Sequence, residues 1–353
     1  MSSDSTSGTT ATAGAGVPAV RDADVDLVRT AALIRVIVFH ATGNFVALTA
    51  LPAMPVMFFL GGRYLARSVH RDRPLQVFER RARRVLIPAA VYVAVIVVVM
   101  SASGHGGHDA LHSLGEALLP TNGGEGSGDS TADWLFSTLW YLRDYLVLAA
   151  CSPLLLAALR RSRALTFTAL AAAFVASTAL GVGAASVLYA GFWTIGLSGI
   201  VPELIRRATP TLLRPVVVVG AVGGAALILA DPDARTAPVG VAAAGLAWIV
   251  GLDHVAPTLR RVASGRRTAS VVGWVTPRAV SVYVWQMVPV VIAFRLAGEH
   301  QRSLTHAAEA LWVVPVAIAG TVLIAALVGP LERLAGSRRP MAPASDAPVP
   351  HRP

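Results

Sequence analysis

The chain contains no lysine; all 30 of its basic residues are arginine. Charge of either sign is scarce. Only 14% of the 353 residues are charged, against roughly a quarter in a soluble domain. Together with 54% hydrophobic residues and a mean hydropathy of +0.61, this excludes an ordinary soluble fold. Cysteine is nearly missing: Cys151, inside an apolar run, is the one example, so disulfides and cysteine-based metal sites are excluded. The nine histidines show no paired metal-ligand spacing; His105, His108 and His112 come closest, in a Gly-rich loop. A net charge of +10 would suit nucleic acid. The arginines, however, cluster between apolar segments and form no aromatic-interleaved basic face. The first twenty residues lack a basic n-region, so a signal peptide is not expected. The stretch 1–22, rich in small polar residues, and the Pro-rich tail 336–353 read as disordered.

What the chain has in abundance is long apolar runs. A helix needs about 20 apolar residues to cross a bilayer. Ten segments qualify: about 25–43, 46–66, 85–102, 134–157, 164–182, 185–204, 212–230, 238–256, 270–295 and 309–331. Gly181 and Gly183 suggest a tight turn between the fifth and sixth. The expected fold is therefore all-α: a polytopic integral membrane helical bundle over residues 23–335, without an appended soluble domain.

Arginine placement orients the bundle. The connection 67–84 holds Arg67, Arg71, Arg73, Arg80, Arg81, Arg83 and Arg84. Further groups follow at Arg160, Arg161 and Arg163, at Arg206 and Arg207, at Arg260, Arg261, Arg266 and Arg267, and at Arg333, Arg338 and Arg339. With ten spans, all of these fall on the side of both termini. The long alternate segment 103–133 carries five acidic residues and no arginine. Basic loops stay cytoplasmic, so both termini are expected in the cytoplasm and 103–133 outside.

The first span, VDLVRTAALIRVIVFHA, carries Asp26, Arg29, Arg35 and His40. A charge at a helix centre costs about 2.5–3.5 kcal/mol on insertion scales, which makes intramembrane ionisable groups functional candidates. Arg29 and His40 are eleven positions apart. That is about 20° past three full turns, so they share one face, about 16 Å apart along the axis. Asp26, three residues before Arg29, can pair with it; Arg35 lies on the opposite face and needs another partner. Histidine transfers protons near neutral pH, and a planar guanidinium suits phosphate or a carbonyl oxygen. The bland alternatives are an interfacial Asp26 and Arg29, and a hydrogen-bonded bundle histidine. The Arg80–Arg84 cluster has two readings as well, a topology signal or a binding site for a polyanion. So does the Trp140–Tyr141 pair, which could be an interfacial belt. Asp144 beside Arg143 could form a satisfied pair or supply a carboxylate to the site, and Glu203, at the inner end of the sixth span, reads as a rim charge.

These residues resemble membrane-bound acyltransferase family 3. The Arg29-x10-His40 helix with Asp26 is similar to that family's first helix, and PVMFFLGGRYLARS (55–68) to its second. FERRARRVLIP (78–88) resembles its Arg-rich entry to a third helix. LWYLRDYLVLAACSPLL (139–155) and RAVSVYVWQMVPV (278–290) resemble its Trp-aromatic-Leu and Ser-x-Tyr helices. The resemblance covers about 25–335. It implies transfer of an acyl group, often acetyl from acetyl-CoA, to hydroxyls of sugars, glycans or natural products. No permanently bound cofactor is implied; acyl-CoA is the co-substrate. It also implies His40 as the proton-transfer residue with Arg29 as its partner, and Arg67 with Arg80, Arg81, Arg83 and Arg84 near the acyl-CoA phosphates. Gln286 stands where many relatives have histidine.

The expected function is thus an O-acyltransferase of a multi-pass plasma membrane, bacterial by type, acting on a carbohydrate or glycosylated acceptor. Its partners are acyl-CoA, the acceptor and lipid, with no nucleic acid. A proton-coupled transporter or flippase is the rival, with Asp26, Arg29 and His40 as a relay. No inverted repeat supports it.

Overall fold

The computed structural model describes residues 22–42, 52–69, 72–103, 107–119, 131–207, 210–230, 237–296 and 307–336. The tails at 1–21 and 337–353, and much of 103–133, lie outside them. The described elements are helices: α1 (Ala23–Thr42), α2 (Ala53–Val69), α3 (Pro74–Ala102), α4 (Gly107–Leu118), α5 (Thr131–Phe136), α6 (Leu139–Arg161), α7 (Arg163–Leu180) and α8 (Ala184–Ser198). They continue with α9 (Ile200–Arg207), α10 (Pro210–Ala230), α11 (Ala237–Ala263), α12 (Arg266–Val275), a 3-10 turn (Thr276–Arg278), α13 (Ala279–Trp285), α14 (Met287–Leu296) and α15 (Ala307–Gly336). The described residues are all-α, as expected from the apolar runs.

By length and composition, four helical stretches can cross a membrane: α3, Thr131–Arg161, α7 and Leu311–Pro330. Three bent pairs raise the number to as many as seven. The bends have local causes. Gly199 takes a left-handed φ of 62° between α8 and α9, whose axes differ by 72°. Within α11 the break falls at residue 253, and Pro257 is the residue that cannot donate to the carbonyl four positions back. Pro289 does the same to the Trp285 carbonyl where α13 gives way to α14, at 51°. Gly181 and Gly183 have φ of 70° and 65°. They form the expected turn between α7 and α8, which a side chain at either position would strain.

Two differences concern the segment read as a Gly-rich loop. It contains α4, whose Ala110, Ser113 and Ala117 are buried at helical spacing. It also contains the start of α5. On α4, His112 sits 3.9 Å from Glu116, an exposed pair one turn apart.

Helices α2 and α8 pack backbone to backbone. A Cβ on Gly62 would strike the Trp193 carbonyl, and one on Gly196 the Phe59 carbonyl. Small residues permit this approach where apolar burial gives no drive between helices. Beside this contact, Trp193 donates its indole N–H to Ser152 Oγ at 2.8 Å, tying α8 to α6.

Ion pairs gather several helix ends at one end of the bundle. Asp22 before α1 pairs with Arg67 at the end of α2. Asp24 of α1 meets Arg260 of α11 at 3.3 Å, and Arg84 of α3 meets Glu332 of α15 at 3.6 Å. At the other end, Arg295 of α14 donates to Thr131 Oγ1 of α5 at 2.6 Å, and Arg143 of α6 donates to the Leu119 carbonyl after α4.

Candidate active site

A cavity of about 700 Å³ opens among these arginine-bearing helix ends. Helix α1 contributes Asp26, Arg29 and Leu33; α2 contributes Tyr64, Arg67 and Ser68; the start of α3 contributes Arg80, Arg81 and Arg84. Tyr141 and Tyr145 of α6, Tyr283 of α13 and Glu332 of α15 complete the parts that bear on its chemistry. Asp26, Arg29, Arg67, Arg80, Arg81 and Arg84, read as functional from the sequence, thus come together from three helices. This follows from the topology. The end of α2 and the start of α3 are joined by a short basic connection, and α1 lies against α2.

The five guanidiniums are not equivalent. Arg67 pairs with Asp22, Arg80 with Asp72, and Arg84 with Glu332. Arg81 instead donates to two neutral hydroxyls, Tyr145 Oη at 3.0 Å and Ser68 Oγ at 3.2 Å. Arg29 stands over the Tyr64 ring, 5.8 Å from its centroid. Among the described residues, no carboxylate lies within ion-pair distance of Arg29 or Arg81. The expected Asp26–Arg29 pair does not form: the Arg29 side chain turns over Tyr64, while Asp26 is buried at 8% exposure. Two permanent cations without a carboxylate at ion-pair distance among the described residues are suited to hold an anion.

Arg83 does not belong to it. Its side chain pairs with Glu79 one helical turn back at 2.5 Å and is 64% exposed. The register of α3 explains this: positions 80, 81 and 84 fall on the cavity face and 83 off it.

Glu332 is a site residue that sequence reasoning missed. It is 1% exposed. Its carboxylate accepts from the Ser281 hydroxyl at 2.9 Å and from the Ser281 and Val280 amides at 3.0 and 3.4 Å. A carboxylate at the first turn of α13 satisfies amides that lack helical partners. It thereby fixes the helix carrying Tyr283 to the cavity wall. The available signal was one acid in an otherwise basic helix end, LERLAGSRR. Tyr145 was missed too; it lies one turn beyond Tyr141 on the same face.

Residues 22–329 match the acyltransferase domain of family 3. The chain belongs to that family. No curated protein and no solved structure matches it. As a member of acyltransferase family 3 with long apolar helices, the chain is a multi-pass membrane acyltransferase.

In this acyltransferase His40 stands apart from the cavity. It is half-buried on α1, its ring 5.3 Å from that of Phe39 and edge-on to it. Eleven helical residues place it about 16 Å from Arg29 along the axis. Arg29 and His40 therefore act at different levels of α1. Arg35, expected to need its own partner, lies over the Phe39 ring at 5.4 Å.

The remaining candidates resolve into structural contacts. Asp144 accepts from Arg143 Nε and Ser186 Oγ, both at 2.8 Å, away from the cavity. Glu203 pairs with Arg163 at 3.2 Å and Arg207 at 2.5 Å. Trp140 stacks on Tyr189 at 5.4 Å, and Tyr141 packs against Tyr283 at 4.8 Å. Both rings belong to an aromatic cluster with Phe58.

Proposed function

We propose that this acyltransferase moves an acyl group, acetyl above all, from acyl-CoA to a hydroxyl of a carbohydrate, a cell-envelope glycan or a glycosylated natural product. The observation that carries the reading is the pair of guanidiniums, Arg29 and Arg81, without carboxylate partners among the described residues, in a cavity of about 700 Å³. Coenzyme A is polyanionic, and arginine binds phosphate bidentately. Arg67, Arg80 and Arg84 line the same space and exchange their carboxylate partners for phosphate as the donor enters.

His40 is the acid–base residue. Its imidazole takes the proton from the acceptor hydroxyl, the oxygen attacks the thioester carbonyl, and the carbon–sulfur bond breaks. The imidazolium then returns the proton to the coenzyme A thiolate. Arg29 and Arg81 hold the phosphate end, and the long arm between phosphate and thioester spans the distance to His40. Asp26 supplies negative charge at the Arg29 end of the same helix.

The chain crosses the plasma membrane ten times with both termini cytoplasmic. Ion pairs that join the ends of α1, α2, α3, α11 and α15 support this, because these are the ends the positive-inside rule puts in the cytoplasm. Purified protein given labelled acetyl-CoA tests the function: an acylated product and free coenzyme A support it, and solute movement without either sinks it.

A further inference from the structure

Beyond the tyrosines of the cavity lie two polar side chains that the proposed chemistry does not use. Thr138 is 0% exposed and Gln286 is 1% exposed. Thr138 Oγ1, Gln286 Oε1 and Gln286 Nε2 are all buried without a hydrogen-bond partner among the described residues. Buried polar groups are almost always partnered, so three such atoms need an explanation.

Contacts on either side bring these residues to one level. The Tyr141 and Tyr283 rings meet at 4.8 Å. Thr138 is three residues before Tyr141, and Gln286 is three residues after Tyr283. Helices α6 and α13 run in opposite directions. Arg81 of α3 meets Tyr145, while Tyr92, further along α3, donates to the Leu135 carbonyl at 2.6 Å; α3 and α6 are therefore antiparallel. Arg84 and Ser281 share Glu332, and Tyr92 packs on Trp285 at 5.1 Å; α3 and α13 therefore run the same way. Thr138 and Gln286 both lie one turn past the Tyr141–Tyr283 contact, on the side away from the arginines. Tyr92 closes the level from α3, touching Phe136 as well as Trp285.

We infer that Thr138 and Gln286 form a neutral binding site for a hydroxyl group, that of the acyl acceptor. The amide offers one donor group and one acceptor, and the threonine hydroxyl offers both. A hydroxyl donates and accepts at once and can satisfy both sides. A phosphate or carboxylate, acceptor-only, would leave Gln286 Oε1 unpaired, and no cation is among the site's groups to hold it. The site lies on the far side of the tyrosines from the cationic cavity, which separates a neutral polyol from the anionic donor. The inference rests on the acyltransfer reading for its choice of ligand and on the unpaired atoms for its position.

Thermal unfolding of the purified full chain in detergent tests it, with methyl α-D-glucopyranoside as the polyol probe and coenzyme A as the donor probe. Without ligand, Gln286→Leu should unfold at or above the wild-type temperature, because it removes an unpaired buried amide. The glucoside should raise the wild-type midpoint by linkage. In Gln286→Leu and Thr138→Val its apparent affinity should fall at least tenfold, while the coenzyme A response is unchanged. An equal glucoside response in wild type and variants reduces it to a general osmolyte effect and overturns the site. So does loss of the coenzyme A response in the variants, which would assign these residues to the donor. A lower midpoint for Gln286→Leu without ligand also overturns it, since the amide would then be partnered within the protein. If wild type ignores coenzyme A, the donor reading fails, and the glucoside comparison still decides this one.

Discussion

Glu332 of α15 accepts the Ser281 hydroxyl at 2.9 Å and the Ser281 amide at 3.0 Å, which locks the first turn of α13 to the far end of the chain. Removing the carboxylate leaves buried donors without a partner, at about 1–3 kcal/mol for each. Glu332→Ala should therefore lower the unfolding midpoint in detergent by several degrees. Glu332→Gln, which keeps one acceptor oxygen, should lose less. Equal stability of Glu332→Ala and wild type would show that α13 is held in some other way.

Arg81 and Arg83 are two positions apart in one basic run yet differ in surroundings. Arg81 faces the cavity on two hydroxyls, and Arg83 faces outward on Glu79. A charge-assisted contact is worth about 1.5–3 kcal/mol, or roughly 10- to 150-fold in affinity. Arg81→Gln should raise the KM for acyl-CoA by a factor in that range. Arg83→Gln should leave it within about twofold. Steady-state kinetics with acetyl-CoA as the varied substrate makes the comparison, and equal effects would mean the run acts only as a topology signal.

Topology gives a third expectation. Reporter fusions at residues 120 and 345 should signal opposite sides of the membrane, with 345 cytoplasmic. The same side for both contradicts ten crossings.

Much of this was legible in the residues, and the reasons are physical. Lipid tolerates few charges, so Asp26, Arg29 and the 80–84 run stood out against apolar sequence, and all of these but Arg83 line one cavity. The helical, membrane-spanning class followed from hydropathy; by length and composition four of the described helical stretches can cross, or up to seven with the bent pairs, against the ten expected. The bends did not, because a helix broken at Gly199 or before Pro289 keeps its apolar composition; glycine and proline in such segments are compatible with either outcome. Which arginines already have partners was equally hidden. Arg67, Arg80 and Arg84 are matched by Asp22, Asp72 and Glu332, and two of these lie far from their partners in sequence. Spacing within one helix suggested that Asp26 pairs with Arg29; a neighbouring ring, Tyr64, offered the guanidinium a different place. Helical spacing also put Arg29 and His40 on one face, and the same geometry keeps them three turns apart.

The central claim is that His40 moves the proton in acyl transfer. Losing a general base costs typically 10²–10⁴-fold in rate. The His40→Gln side chain keeps hydrogen-bonding capacity but cannot titrate near neutrality. The direct measurement is acylated product and free coenzyme A formed from labelled acetyl-CoA by purified His40→Gln protein, at a protein level and unfolding midpoint matched to wild type. The account predicts turnover at least a hundredfold lower, with loss of the near-neutral limb of the pH–rate profile. Turnover near the wild-type rate, with that limb intact, would contradict it and leave His40 as a hydrogen-bonded residue of the bundle.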